Sequence, residues 1–304
     1  MPNDYREESY RRHREHLAQQ VPDAPGETEA KPCFRTDTVD AWRHRRLYAL
    51  LDPLLGAEPG ASWLTLGDGR FGNDARYILD HGGQAVASDL ADALLKEAQR
   101  IGFIPEYRVE NAEALSLADG AVDYVLCKEA FHHFPRPMLA LYEMLRVARH
   151  AVVLIEPNDE YAGGGLAQAF GRTVRGLLLR LLRRPAGKHG FEPVGNYVYS
   201  LSRRELEKAL LALGYRVLAC RGINDSYTPG VEDEPLAANG PLGRRTRRII
   251  RLKDLLGKVG LWNPGVLAAV LFKTAPAQAV LDGLAQGGYE IVRLPENPYS
   301  APDR

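Results

Sequence analysis

The sequence predicts an α/β fold built around a mostly parallel sheet. Short apolar runs typical of strands alternate with amphipathic helical patterns between residues 61 and 156. This alternation predicts βαβ units with right-handed crossovers. Two further strand-like runs at 216–223 and 265–273 extend the prediction to a doubly wound, seven-stranded sheet with a helical N-terminal flap and accessory inserts.

Each strand of this core is predicted from a short run of aliphatic, aromatic or β-branched residues that ends at polar or glycine residues. In chain order, these runs are 62–66, 84–88, 104–110, 121–127 and 150–156. Apolar residues at helical spacing fill the intervals between them. The predicted helices are 73–82, 90–102 and 135–150.

The chain before this core is predicted to contain a flexible arm and one helix. Residues 1–36 are polar and charged, which predicts a flexible arm with a frayed helix. Residues 37–275 are predicted to form the main domain, with its core at 60–160. A helix is expected at 37–55, capped by Asp37 or Thr38.

Two inserts and a tail complete the predicted organisation. The inserts, 157–200 and 224–264, are expected to form lids or accessory segments. A Ser202-x-x-Glu205 capping box predicts a helix after the first insert. Residues 276–304 are expected to be a C-terminal extension with a short helix and a strand at 289–294.

Composition and charge narrow the function classes. The chain has 39 basic and 39 acidic side chains, so its formal net charge is zero. That balance argues against a general nucleic-acid binder, which needs a broad basic surface. The scattered cysteines Cys33, Cys127 and Cys220 suggest neither a zinc site nor a disulfide framework. Neither a signal-peptide core nor a membrane-spanning run is apparent, so a cytoplasmic protein is expected.

A glycine loop follows the first predicted strand. It has the spacing G-x-G-x-x-G over residues 67–72 and leads into a helix. Such a loop lets the backbone approach a ligand closely, next to the free N–H groups of the helix N-terminus. Asp89 ends the second strand, where a carboxylate can accept hydrogen bonds from both ribose hydroxyls of an adenosine. A nicotinamide dinucleotide and S-adenosylmethionine both fit this layout.

The order of further motifs resembles class I S-adenosylmethionine-dependent methyltransferases of the type 11 branch. The matching stretches are Leu64 to Gly72, Asp89, Asn111 to Glu113 and Val122 to Pro135, and residues 143–158 resemble the next block. The resemblance implies a Rossmann-like fold and S-adenosylmethionine as cofactor. The cofactor-binding residues that it implies are Gly67, Asp68, Gly69, Gly72, Asp89, Leu90, Asn111, Ala112, Glu113 and Lys128.

The sequence departs from that family pattern at the glycine loop. Thr65 stands where the family often has an acid, and Phe71 makes the loop one residue longer. Asp68 occupies a position that is more often small. We therefore expect Asp68 to take over part of the recognition of the cofactor's ammonium group.

The acceptor side is expected at the tips of the fourth to sixth strands. His133 and His132 are the candidate general bases, because histidine titrates near neutral pH. Glu156 is a candidate anchor for an acceptor hydroxyl or amine. The same three residues are also compatible with structural roles. Tyr197 and Tyr199 could form a wall of the acceptor site or pack in a lid.

These residues predict methyl transfer to a small-molecule hydroxyl, amine or carbon. Two alternatives stay open. One is a nicotinamide-dependent oxidoreductase, although its Tyr-x-x-x-Lys pattern at Tyr124 to Lys128 lies on a strand, which separates the two side chains. The other is a protein that binds the cofactor without methyl transfer, as a regulatory module or as an enzyme of intramolecular cyclisation or elimination.

Two arginine-rich segments, 172–188 and 244–253, allow several interpretations. The simplest is a solvated basic face. The others are an acceptor that is phosphorylated or nucleotide-linked, RNA, or an anionic membrane surface. No RNA-binding motif accompanies these segments, so no nucleic-acid partner is expected.

Overall fold

The computed structural model describes residues 5–21, 31–159, 173, 190, 191 and 196–299. Its centre is an eight-stranded sheet in the order β3-β2-β1-β4-β5-β7-β6-β8. The strands are β1 Ser62–Leu66, β2 Gln84–Asp89, β3 Tyr107–Val109, β4 Val122–Lys128, β5 Ala148–Pro157, β6 Val217–Ile223, β7 Val266–Phe272 and β8 Glu290–Arg293. Strands β1 to β5 pair in parallel, whereas β7 is antiparallel to its neighbours β5 and β6. The predicted α/β class is therefore confirmed.

The sheet has one strand more than the seven predicted. The additional strand is β8, which pairs antiparallel with β6. A strand was expected at 289–294 but was not counted in the sheet. It joins because β6 would otherwise leave its backbone groups unpaired at the sheet edge.

Nine helices surround the sheet within the described ranges. They are α1 Tyr5–Ala18, α2 Val39–Tyr48, α3 Asp52–Ala57, α4 Asn73–Asp80, α5 Ala93–Arg100, α6 Pro137–Val147, α7 Arg203–Leu213, α8 Pro241–Lys258 and α9 Gln278–Gln286. None of these described helices is long and apolar enough to span a bilayer. Apart from residue 173, the arginine-rich segment 172–188 lies outside the described residues.

The single helix expected at 37–55 is two helices. The Thr38 hydroxyl caps α2 by accepting the Ala41 N–H at 3.1 Å. Pro53 lies in the first turn of α3, where its missing N–H costs no hydrogen bond. The chain therefore turns between the two helices instead of continuing as one.

Alternating side chains on the strands pack against different helices. Trp63 and Tyr124 face a cluster that includes α4 and α5, while Leu64 and Val125 face a cluster that includes α6 and α7. Sheets covered on both faces have strands that are apolar throughout. Charged side chains also occur at the carboxyl ends of β2, β4 and β5, where ligands bind in open α/β sheets.

The C-terminal segment is attached to the same body. The Tyr289 hydroxyl is buried and donates to the Leu50 carbonyl at 2.8 Å. Helix α9 lies against α3. The boundaries of the predicted domain and its inserts stay predictions.

Candidate functional site

The glycine loop between β1 and α4 has no room for side chains at two positions. A Cβ on Gly67 would lie 2.2 Å from the Ala130 Cβ, and Gly67 also has a φ of +75°. A Cβ on Gly69 would lie 2.6 Å from Asp89 Oδ2. These contacts explain why glycine is required. The loop therefore packs closely against the end of β2 and the segment after β4.

Asp89 is the acid at the end of β2, and it is 3% exposed. Its Oδ2 accepts the Gly69 N–H at 3.1 Å, and its Oδ1 accepts the Ala91 N–H at 2.8 Å. The Nε2 atom of His13 lies 3.1 Å from the same Oδ1. The carboxylate is thus fixed by backbone donors and contacted from outside by one histidine.

That histidine belongs to helix α1, which lies over this part of the sheet edge. Tyr10, His13 and Leu17 are spaced to share one helical face, and both Tyr10 and Leu17 are buried. The Leu17 Cδ1 lies 2.8 Å from the place where a Gly69 Cβ would be. Sequence reasoning placed this helix in a flexible arm. The helical spacing of these three residues was the signal that could have identified it.

The Asn111 to Glu113 segment lies after β3, also close to α1. Asn111 Oδ1 accepts the Glu113 N–H at 3.0 Å. The Glu113 carboxylate accepts from Arg136 twice, from the backbone N–H at 2.7 Å and from Nε at 2.6 Å. The nearby Tyr10 side chain is buried, and its hydroxyl interacts with Asn111, Glu113 and Arg136. Burial, with a further contribution from Glu113, raises the pKa of Tyr10.

Asp68 lies within the glycine loop and is buried. It accepts the Asp74 N–H at 3.1 Å, the Ala75 N–H at 2.9 Å and the Thr65 hydroxyl at 2.8 Å. Burial and the neighbouring Asp74 raise the pKa of Asp68 well above its ordinary value, although these donors oppose the change. The contacts are those of a side chain that caps α4. Its expected contact with the cofactor's ammonium stays a prediction.

A charged cluster lies at the tip of β4. Lys128 Nζ is 2.9 Å from Glu129 Oε2 and 3.4 Å from Asp74 Oδ1, and it lies 4.6 Å from the centre of the Tyr48 ring. His44 Nδ1 is 3.6 Å from the same Glu129 oxygen. Glu129 has a φ of +52°, which is strained for a residue with a side chain. Sequence reasoning missed His44, Tyr48 and Asp74.

The pKa shifts in this cluster follow from its charges. Burial alone would lower the pKa of Lys128, but Asp74 and Glu129 raise it well above its ordinary value. Burial opposes ionisation of Glu129, yet Lys128 and then His44 hold its pKa at about 2. Burial and Lys128 lower the pKa of His44. The cluster therefore contains an ionised pair, Lys128 and Glu129, next to His44, which loses its proton more readily than a free histidine.

Glu156 organises the segment after β4. It is 0% exposed. Its Oε1 accepts the N–H groups of Ala130 and Phe131, both at 2.9 Å, and its Oε2 lies 2.7 Å from His132 Nδ1. The rings of His132 and His133 are 3.9 Å apart. The structure thus brings together all three residues that were predicted for the acceptor side, with Glu156 beneath the histidines.

Side chains of α2 also bind the 224–264 segment, close to Glu129. The Arg43 guanidinium binds the Asp225 carboxylate, with Nε 3.1 Å from Oδ1. Asn224 donates to Asp254 at 2.8 Å. The Tyr199 hydroxyl donates to Glu205 at 2.7 Å, so this tyrosine packs against the start of α7.

The remaining predicted cofactor residues lie next to those already described. Leu90 is half-buried beside Asp89, Ala112 is buried next to Glu113, and Gly72 precedes α4 with a φ of +71°. Within the described part of the chain, no group of three or more His, Cys, Asp or Glu side chains is placed to hold a metal ion.

Comparisons with known proteins bear on the same segment. Residues 64–155 match the family model described as "Methyltransferase domain". No curated protein matches the chain.

Solved structures resemble the chain at low identity. A 1,6-didemethyltoxoflavin-N1-methyltransferase from Burkholderia thailandensis is 16% identical, with 90% of this chain and 93% of that chain covered and a TM-score of 0.48. A SAM dependent methyltransferase from Archaeoglobus fulgidus is 15% identical, with 75% and 94% covered and a TM-score of 0.46. Because both TM-scores are below 0.5, the assignment rests on the family match.

The matched segment runs from β1 into β5, and it contains the glycine loop, Asp89, the Asn111 to Glu113 segment and the histidine pair. Residues 64–155 are therefore a class I methyltransferase domain, and its cofactor is S-adenosylmethionine.

Proposed function

We propose that this chain transfers the methyl group of S-adenosylmethionine to a small-molecule acceptor in the cytoplasm. The observation that carries the proposal is the buried Asp89 carboxylate, held by the Gly69 N–H group inside the matched methyltransferase segment. A carboxylate placed against a glycine loop is suited to accept hydrogen bonds from ribose hydroxyls.

The residues present fit this cofactor. Gly67 and Gly69 let the loop backbone pack directly against Ala130 and Asp89, which a side chain at either position would prevent. Asp89 Oδ2 accepts the Gly69 N–H, and a carboxylate oxygen can accept a further hydrogen bond. The buried Tyr10 side chain lies beside Asn111 and Glu113, where we expect the adenine. Lys128 is expected on the side of the methionine portion.

Helix α1 must adjust when the cofactor binds. The His13 imidazole contacts Asp89 Oδ1, an oxygen that the ribose would also use. We propose that the ribose hydroxyls replace His13 and that α1 then covers the bound adenosine. Tyr10 and Leu17 would exclude water from it.

On the acceptor side, we propose His132 as the general base and Glu156 as the residue that positions it. When bound, the cofactor supplies an electrophilic methyl group. Because Nδ1 of His132 faces Glu156 at 2.7 Å, Nε2 is the nitrogen that can take a proton from an acceptor hydroxyl or amine. The His133 ring lies 3.9 Å from this ring at an angle of 45°, and we propose that it limits the rotation of His132.

Calorimetric titration with S-adenosylmethionine tests the cofactor site. Asp89→Ala should weaken binding by about 1.5–3 kcal/mol, because hydrogen bonds to a charged group are lost. The matched control is Asp92→Ala, which removes an exposed carboxylate three residues away that makes no side-chain cap. Equal affinities for the two variants would refute the role of Asp89.

Product analysis tests the reaction. Incubation with candidate hydroxyl and amine acceptors, including phosphorylated and nucleotide-linked ones, should yield S-adenosylhomocysteine. Methylthioadenosine as the product would instead mean attack within the cofactor's own aminobutyrate chain. Binding of NADH in place of S-adenosylmethionine would mean an oxidoreductase.

A further inference from the structure

Helix α8 is attached to the domain by few side chains. Only Gly243, Thr246 and Ile250 of its 18 residues are buried. At 100° per residue, its exposed residues other than Asp254 lie on an arc of about 140°. The residues on that arc, which we call the α8 face, are Pro241, Arg244, Arg245, Arg248, Arg251, Leu252, Leu255 and Lys258.

The charge of the α8 face is of one sign. It has five basic residues and no acidic one, in a chain whose formal net charge is zero. Within the part of the chain that the structure describes, none of these five side chains forms a salt bridge. The face is thus a local positive patch whose charge the rest of the fold does not neutralise.

Large aliphatic side chains continue this face at its C-terminal end. Leu252, Leu255, Val259 and Leu261 are 55%, 60%, 61% and 49% exposed. They lie within ten residues of each other and next to Arg251 and Lys258. Their outward orientation leaves apolar surface in water and therefore indicates a partner with an apolar layer.

We propose that the α8 face binds the surface of an anionic membrane. Aliphatic side chains that enter the acyl boundary, flanked by basic side chains that contact lipid phosphates, are the arrangement that an interfacial helix requires. RNA fits less well, because nonspecific single-strand binding relies on aromatic stacking and the exposed apolar residues here are aliphatic. This inference does not depend on methyl transfer.

The helix also connects to the acceptor side of the site. Asp254 accepts from Asn224 at 2.8 Å, and Lys253 donates to the Asp225 carbonyl at 2.8 Å. Asp225 in turn binds Arg43 of α2. A membrane under the α8 face would therefore lie close to the wall of the acceptor site.

Co-sedimentation of the full-length protein with vesicles tests the inference. Vesicles of phosphatidylcholine with 30% phosphatidylglycerol, roughly a typical anionic fraction, should bind the protein, and binding should weaken as salt rises. Pure phosphatidylcholine should bind at least about tenfold less. The double variant Arg248→Glu, Arg251→Glu should lose at least about tenfold in binding, and Leu255→Ser about threefold.

Matched controls use helix α7. Arg204→Glu with Lys208→Glu makes the same change of charge at exposed positions, and Leu213→Ser removes a leucine that is 42% exposed. These controls should bind vesicles like the parent protein, and circular dichroism should show that all variants are folded. Equal losses in α7 and α8 variants, no binding to anionic vesicles, or binding to a single-stranded RNA probe alone would each overturn the proposal.

Discussion

The proposed cofactor side and the proposed acceptor side of this site are held together by different kinds of contact. On the cofactor side, backbone N–H groups of Gly69 and Ala91 donate to the Asp89 carboxylate. On the acceptor side, charged side chains from separate elements bind each other, as Arg43 does with Asp225 across 182 residues. The first arrangement depends on backbone shape, and the second depends on tertiary packing.

Glu156 belongs to both kinds, since it binds two backbone N–H groups and one histidine. If His132 is the general base that we propose, Glu156 acts on the acceptor through this histidine and not directly. Its complete burial makes direct contact with a bulky acceptor unfavourable. We therefore expect its removal to have the largest effect in the site.

Glu156→Ala should lower the free energy of unfolding by about 3 kcal/mol, because buried donors are left without an acceptor. These donors are the N–H groups of Ala130 and Phe131, together with His132 Nδ1. Urea denaturation measures the change. Glu156→Gln keeps a carbonyl acceptor and should lose less.

The control for this change is Glu290→Ala. Glu290 is 65% exposed in its pair with Arg203, and exposed pairs contribute under about 1 kcal/mol. A loss for Glu156→Ala no larger than that of the control would show that the segment after β4 does not depend on this carboxylate.

The sequence reveals the backbone contacts around Gly67 and Gly69 more readily than the side-chain contacts of Asp225, for a physical reason. Positions that cannot hold a Cβ remain glycine, so Gly67 and Gly69 are visible in the sequence. By contrast, nothing in the sequence says which of many arginines meets Asp225. Likewise, His44 and Tyr48 looked like ordinary residues of an amphipathic helix, although both contact the tip of β4.

Gly69→Ala should test the backbone-held side. The new Cβ would lie 2.6 Å from Asp89 Oδ2 and would push the carboxylate away from the loop. We expect affinity for S-adenosylmethionine to fall about tenfold, or about 1.4 kcal/mol, in calorimetric titration. Gly56→Ala is the control, because a Cβ there meets nothing within 4 Å. A loss in both variants would mean that the close approach at Gly69 has no special role.

The pH dependence of stability tests the charged cluster around Glu129. Its pKa of about 2 in the folded chain is below the ordinary value of 4.5, so its stabilising contribution is present above pH 4.5 and is lost as pH falls towards 2. Because the side chain is 35% exposed, we expect only about 1 kcal/mol after allowance for solvent screening.

The measurement is the difference in unfolding free energy between the parent protein and Glu129→Gln. It should be largest near pH 6 and should shrink below pH 4.5, since protonation makes the two side chains alike. The exposed Glu106→Gln should show a smaller difference throughout. A constant difference for Glu129→Gln across this range would mean that its charge does not stabilise the fold.

The smallest expected effect on cofactor affinity is that of His13. Its side chain contacts the Asp89 carboxylate, which backbone N–H groups also hold. If it occupies the place of a ribose hydroxyl, His13→Ala should strengthen S-adenosylmethionine binding two- to fivefold, or about 0.5–1 kcal/mol. His16 lies on the same helix and is exposed, so His16→Ala should leave affinity unchanged. Weaker binding by His13→Ala alone would mean instead that the imidazole contacts the bound cofactor, and α1 would then be a permanent wall of the site.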